Sequence, residues 1–147
     1  MLALPILLAA TGVRAQGADV IRPDAQGDFP SVDIPGGRGT YRQRFWLVVD
    51  RDPRGLWCRD ATGRPSIALR YGAVIEIDPA AGPPSPVVTR QGKPHLRVRV
   101  KPVDILHDAR LRGRGTPAAC VVRANSSFLA PIHPESMAAA SRRAGLP

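Results

Sequence analysis

The chain has 147 residues, a net charge of +9 and two cysteines. That length suits one domain with tails, and two cysteines without a clustered His pair fall short of a structural zinc site. Neither a Gly-x-Ser-x-Gly elbow nor a His-Glu-x-x-His helix is present, so a non-catalytic protein without metal or cofactor is expected.

Leu2 to Ala10 is a continuous apolar run, and Val13 and Ala15 put small residues just before Gln16, the pattern a signal peptidase reads. No Lys or Arg precedes the run, which is far shorter than the roughly 20 residues of a membrane span. The expectation is a signal peptide over 1–15 with cleavage near Ala15, no transmembrane segment, and a periplasmic or extracellular mature chain. A buried N-terminal element is the alternative. Export gives the cysteines meaning, because an oxidising compartment favours pairing and Cys58 with Cys120 is the only pair available. The closed loop of about 62 residues would contribute roughly 4 kcal/mol by chain entropy. Two buried thiols are the other reading.

Charge is uneven along the chain. Asp19, Asp24, Asp28 and Asp33 outnumber Arg22 before Gly37, whereas arginine dominates from Arg38 onward. A basic exported domain suits anionic surfaces such as wall polymers, acidic polysaccharide or nucleic acid. A coding bias toward Arg, Ala, Gly and Pro would give the same composition.

Residues 16–40 carry scattered acids, prolines and glycines with little periodicity, and read as an irregular lead-in. The folded unit is expected to begin near Tyr41 and to run to His133. Arg44 to Asp50 is aromatic and β-branched, suiting a buried strand with Trp46 in the core. Asp52-Pro53-Arg54-Gly55 is a turn, with Pro presetting one φ and Gly permitting a positive one. Leu56 to Arg59, Ser66 to Arg70 and Ala73 to Ile77 follow as short strands, the turn Thr62 to Pro65 separating the first two. In the third, Ala73, Ile75 and Ile77 share one face. Asp78 to Pro86 is proline-rich loop.

His95 to Lys101 alternates most cleanly, placing Leu96, Val98 and Val100 inward and His95, Arg97, Arg99 and Lys101 outward. Asp104 to Arg114 is ambiguous between loop and a helical turn. Cys120 to Arg123 is a last strand, Phe128 and Leu129 pack beyond it, and Asn125-Ser126-Ser127 reads as a turn with side-chain hydrogen bonds. Glu135 to Ala144 is a short helix within the tail 134–147, with its acid early and Arg142 and Arg143 late. Short strands, frequent turns and few helical stretches give an all-β class and a small barrel.

In order, Gly55-Leu56-Trp57-Cys58-Arg59, Tyr71-Gly72-Ala73-Val74-Ile75, Gly92-Lys93-Pro94-His95-Leu96-Arg97-Val98 and Cys120 to Leu129 resemble the successive segments of a bacterial SH3-like domain. The resemblance covers about residues 44–132 and implies an SH3-like β-barrel over 41–133 that binds cell-wall or extracellular peptide or glycan. His95 stands where the family carries tryptophan, and Val121 or Val122 replaces its closing tryptophan. A disulfide between the first and last of these segments would compensate for that lost aromatic core.

Beside that resemblance, Trp57 is the leading contact residue, since it flanks a cysteine in a turn-rich segment, and Tyr71 follows, its ring and hydroxyl suiting a rim. Arg97, Arg99 and Lys101 stand about 7 Å apart on one strand face. They suit repeating anions or form a solvated face that blocks edge pairing. Asp104, His107 and Asp108 make a carboxylate–imidazole cluster of the kind common on surfaces, and a disulfide at Cys58 would remove the one candidate thiolate. Two other functions stay open: an assembly protein whose segment 134–147 docks a protein partner outside the cytoplasm, and a general polyanion-binding domain.

Overall fold

The computed structural model describes residues 20–37, 39–81, 85–104 and 119–143. The signal-peptide reading and the His107–Asp108 cluster lie outside them. The described chain is mostly β-sheet, as the sequence predicts. Its strands are β1 (Asp33–Gly36), β2 (Gly39–Arg42), β3 (Phe45–Val48), β4 (Leu56–Arg59), β5 (Pro65–Leu69), β6 (Ala73–Ile77), β7 (Val87–Arg90), β8 (Lys93–Asp104), β9 (Cys120–Arg123) and β10 (Leu129–Ile132), followed by helix α1 (Pro134–Arg143).

β1 and β2 form a separate hairpin, while the other strands make one antiparallel sheet in the order β10-β3-β6-β8-β9-β4-β5, with β7 on β8. β5 and β6 are joined by residues 70–72 alone, yet β5 ends the sheet and β6 lies third from its opposite end. The sheet must therefore curl back on itself, and Gly72 N donates to the Val48 carbonyl at 2.9 Å across the closure. Among the described residues no ladder joins β5 to β10, so the curl stays open.

The concave side is the main core. Trp46, Val48, Ile75, Leu96, Val98 and Val122 are fully buried there, each worth about 1.5–3 kcal/mol against exposure. The alternation predicted for β8 holds at Leu96 and Val98, and Val100 packs against the same core. Cys58 and Cys120 are bonded, with Cα atoms 5.6 Å apart across 62 residues of sequence. Among the described residues the β4–β9 ladder is the single pair Arg59–Val121, so the disulfide one residue away joins two strands that hydrogen bonding holds only thinly.

Two features depart from the sequence reading. The segment expected to be lead-in is folded in: Phe29 and Val32 are buried in the core, Phe29 edge-on to Trp46 with ring centroids 4.8 Å apart. Phe29 N donates to the Ala124 carbonyl at 3.0 Å and Asp28 bridges Asn125, so residues 27–29 pair with the chain just past β9. Two isolated apolar residues among prolines and acids build neither a two-residue nor a helical period, which hides such an anchor in sequence. The second departure is β6, buried along its whole length. Ala73, Ile75 and Ile77 face the main core as predicted, but Val74 faces a second cluster with Ile132 and Met137, flanked by Phe45 and Leu47. Helix α1 is thus the lid of the convex side of β10-β3-β6. Pro134 opens it and Glu135 sits in its first turn, where the missing N–H costs nothing and negative charge is favoured. No described helix is long and apolar enough to cross a membrane.

Candidate functional site: a basic cleft on the uncovered sheet face

Among the described residues no helix lies over the convex side of the other half of the sheet. On β4, Leu56 and Cys58 turn to the core, so Trp57 and Arg59 turn outward. The same alternation places Arg123 on β9, Lys93, His95 and Arg97 on β8, and Arg90 on β7 on that side. The registers align them in rows. Arg59 lies opposite Val121 and Val121 opposite Arg97, Arg123 lies opposite His95, and Arg90 lies opposite Lys93. Neighbouring strands are about 4.8 Å apart, so these side chains share one surface. A cleft of about 840 Å³ runs over it, with Trp57, Arg59, Arg90, Lys93, His95 and Arg123 among its lining.

The turn between β4 and β5 organises its cations. Gly63 N donates to the Asp60 carbonyl at 3.0 Å and Gly63 adopts φ +92°, which glycine reaches without steric cost. The Asp60 carboxylate accepts from the Thr62 hydroxyl at 2.7 Å and from the Thr62 and Arg64 amides at 2.9 and 3.0 Å. These bonds, the Thr62 hydroxyl foremost, hold its carboxyl below the ordinary carboxylate range. The turn thus holds its own carboxylate, still charged, with neutral donors and leaves its carbonyls for arginines. Arg59 donates to the Gly63 carbonyl at 3.1 Å and Arg90 to the Ala61 carbonyl at 3.0 Å. A carbonyl orders a guanidinium without cancelling its charge. Arg59, Arg90, Lys93 and Arg97 make no ion pair among the described residues.

Arg123 differs. It donates to Asp28 at 2.5 Å and to the Pro94 carbonyl at 2.9 Å, and Asn125 Nδ2 donates to the same Asp28 oxygen at 2.6 Å. The Asn125 bond first, then Arg123, keeps the Asp28 carboxyl below its usual range. This pair ties the folded-in lead segment to the cleft floor. The Asn125 turn forms as expected, with Ser127 N donating to Asn125 Oδ1 at 2.9 Å.

His95 is half-buried among these cations. Burial first, then Arg123, Arg90 and Arg59, lower its pKa from the ordinary imidazole value. Its Nδ1 lies 2.9 Å from the Lys93 carbonyl. A carbonyl only accepts, so Nδ1 carries a proton, and whenever the ring is neutral Nε2 is a lone-pair acceptor.

The five residues singled out in the sequence part company here. Trp57, 43% exposed, lies in the cleft. Arg97 lines an adjoining depression with Arg90 and Val121. Tyr71, 44% exposed, lies on the far side of Asp50 and Asp52 in a separate depression with Ser126 and Ser127. Arg99 does not form a free stripe with Arg97: it donates to Asp78 at 2.8 Å and sits opposite buried Glu76 in the β6–β8 ladder. Lys101 lies in β8 beyond it, its side chain outside those described. Arg59, Arg90, Lys93 and Arg123 went unnoticed in sequence as a group, although each is an outward residue of a recognisable strand or strand end. What brings them together is cross-strand register.

Cys58 is committed to the disulfide and offers no thiolate, and the described residues hold no cluster of three metal-ligating side chains. No protein-family model, curated protein or solved structure matches the chain.

Proposed function

We propose that this protein is an exported, non-catalytic binding module whose basic cleft holds an anionic extracellular polymer, an acidic glycan of the cell wall or its surroundings. One observation carries the reading. An exposed tryptophan stands on the same sheet face as Arg59, Arg90 and Lys93, which form no salt bridge among the described residues. Guanidiniums pair carboxylates in two-pronged fashion, and an indole offers a flat apolar surface with a polar edge to a ring-bearing chain. Because the Asp60–Gly63 turn already orders Arg59 and Arg90, less side-chain entropy is lost on binding. The disulfide fits an oxidising compartment, and the segments resembling an SH3-like domain agree with a wall-directed role.

Co-sedimentation of residues 16–147 with purified cell-wall sacculi over a salt series tests this. Retention should weaken as salt rises, since exposed charge pairs are screened within about 8–10 Å at physiological ionic strength. Trp57→Ala and the pair Arg59→Ala/Arg90→Ala should each reduce it about tenfold. Retention unchanged by all three substitutions would overturn the reading.

A further inference from the structure

We propose that the cleft is bipolar and that its ligand carries ammonium groups alongside its anionic charge. The ligand class is an amino-bearing acidic glycan, whose ammonium seats at Asp50, with Trp57 on one side and Tyr71 on the other, while its carboxylates meet Arg59, Arg90 and Lys93. This deepens the acidic-glycan reading and rests on it.

The inference follows from the charges at the two ends of one cleft. Asp50 and Asp52 line it together with Trp57 and with the cations Arg59, Arg90 and Lys93. Trp57 stands on β4 between the acid-bearing turn and Arg59, which follows two residues on, roughly 7 Å along the strand. The same two acids also line the depression that holds Tyr71. Two exposed aromatic side chains therefore flank one pair of carboxylates. Backbone bonds fix the acids in place: Val49 N donates to the Phe128 carbonyl at 2.8 Å, and Gly55 N donates to the Asp52 carbonyl at 2.8 Å. Asp52 is engaged by Arg54 at 2.9 Å. Asp50 accepts the Asp52 amide at 3.0 Å through Oδ1. Its Oδ2 has no hydrogen-bond partner and Asp50 forms no ion pair among the described residues, although exposed Arg51 lies nearby.

An unpaired carboxylate beside the path of a purely anionic chain repels it. Edged by aromatic faces, the same carboxylate suits an ammonium, which takes a charge-assisted hydrogen bond from the acid and is attracted by the ring quadrupoles. A chain that alternates carboxylate with ammonium satisfies both ends of the cleft. A chain of one sign meets a like charge at one of them.

The test is isothermal titration of the wild-type protein at pH 6 with two decasaccharides. One is hyaluronan, in which uronates alternate with N-acetylated sugars; the other is the same chain N-deacetylated, in which they alternate with ammonium-bearing sugars. Deacetylation cancels the net charge, so a cleft that is basic and nothing more must bind the acetylated chain more tightly. The bipolar cleft should bind the deacetylated chain about tenfold more tightly, as one charge-assisted contact provides. Asp50→Asn, which keeps an acceptor for the Asp52 amide, should abolish that preference and leave the acetylated chain unweakened. Tyr71→Ala should weaken the deacetylated chain about threefold, and Tyr71→Phe, which keeps the ring, should restore it. Equal or tighter binding of the acetylated chain, equal loss of both chains in Asp50→Asn, or a preference undiminished by Asp50→Asn or Tyr71→Ala would overturn the inference while leaving the cleft an acidic-glycan site. Failure of both chains to bind would overturn it together with the acidic-glycan reading.

Discussion

The two halves of the sheet share one concave core and differ on their convex sides. Over β10-β3-β6 the outward residues Val74, Phe45 and Leu47 are apolar, and α1 covers them with Met137. Over β7-β8-β9-β4 the outward residues Trp57, Arg59, Arg90, His95, Arg97 and Arg123 surround a buried Val121, and no described helix lies over them. The covered half is held by burial on both sides. The open half has burial on one side, a one-pair β4–β9 ladder, and the Cys58–Cys120 bond behind it. The disulfide does for the open half what the helix does for the other, and it does so without occupying the surface. A sheet face released from packing can carry charge.

The largest expected effect breaks the open half. Replacing both cysteines with alanine should cost roughly 4 kcal/mol by the chain-entropy argument, read as a lower urea midpoint, and should weaken anion binding through loss of β4–β9 alignment. Met137→Ala should cost about 2–5 kcal/mol, the range for truncating a buried methionine, with anion affinity unchanged; a change in affinity would show that the halves are coupled. Trp57→Ala should invert that pattern, altering stability by no more than about 0.5 kcal/mol while lowering affinity about tenfold. Paired urea and binding titrations on the same variants separate the cases.

The smallest effect is in pH. His95 binds its proton less readily folded than unfolded, so the unfolded chain holds more protons below its ordinary pKa of about 6.5. Stability should therefore fall as pH drops from above 6.5 through the lower folded value, and His95→Gln should flatten that slope. Asp28 contributes in a separate window, its stabilisation being present above about pH 4 and lost as pH falls through its depressed folded value.

Much of the fold is written in local pattern. The two-residue period of β8, the apolar runs of β3 and β6, the glycine after Asp52-Pro53-Arg54 and the early acid of α1 are neighbour-to-neighbour signals, and each appears where the pattern places it. Gly55 adopts φ +80°, and a Cβ there would meet the Leu69 carbonyl oxygen at 2.7 Å, so the turn needs that residue. Less of the site is legible. Arg90, Lys93 and Arg123 converge only through antiparallel register, and Arg99 is removed from the anion face by Asp78, twenty-one positions away in sequence. Phe29 and Val32 join the core from a stretch whose prolines and acids carry no period. The β1–β2 hairpin is missed for a related reason: its residues are nearly all exposed, so no apolar face marks it.

The most direct test of the central claim maps the bound surface. Amide chemical shifts of the isotope-labelled protein, followed during titration with a galacturonate hexamer, should move at Trp57, Arg59, Lys93, His95 and Arg123 and stay fixed at Met137 and Val74. Shifts confined to the helix-covered half, or to the depression around Tyr41 and His133, would contradict the assignment of function to the open face.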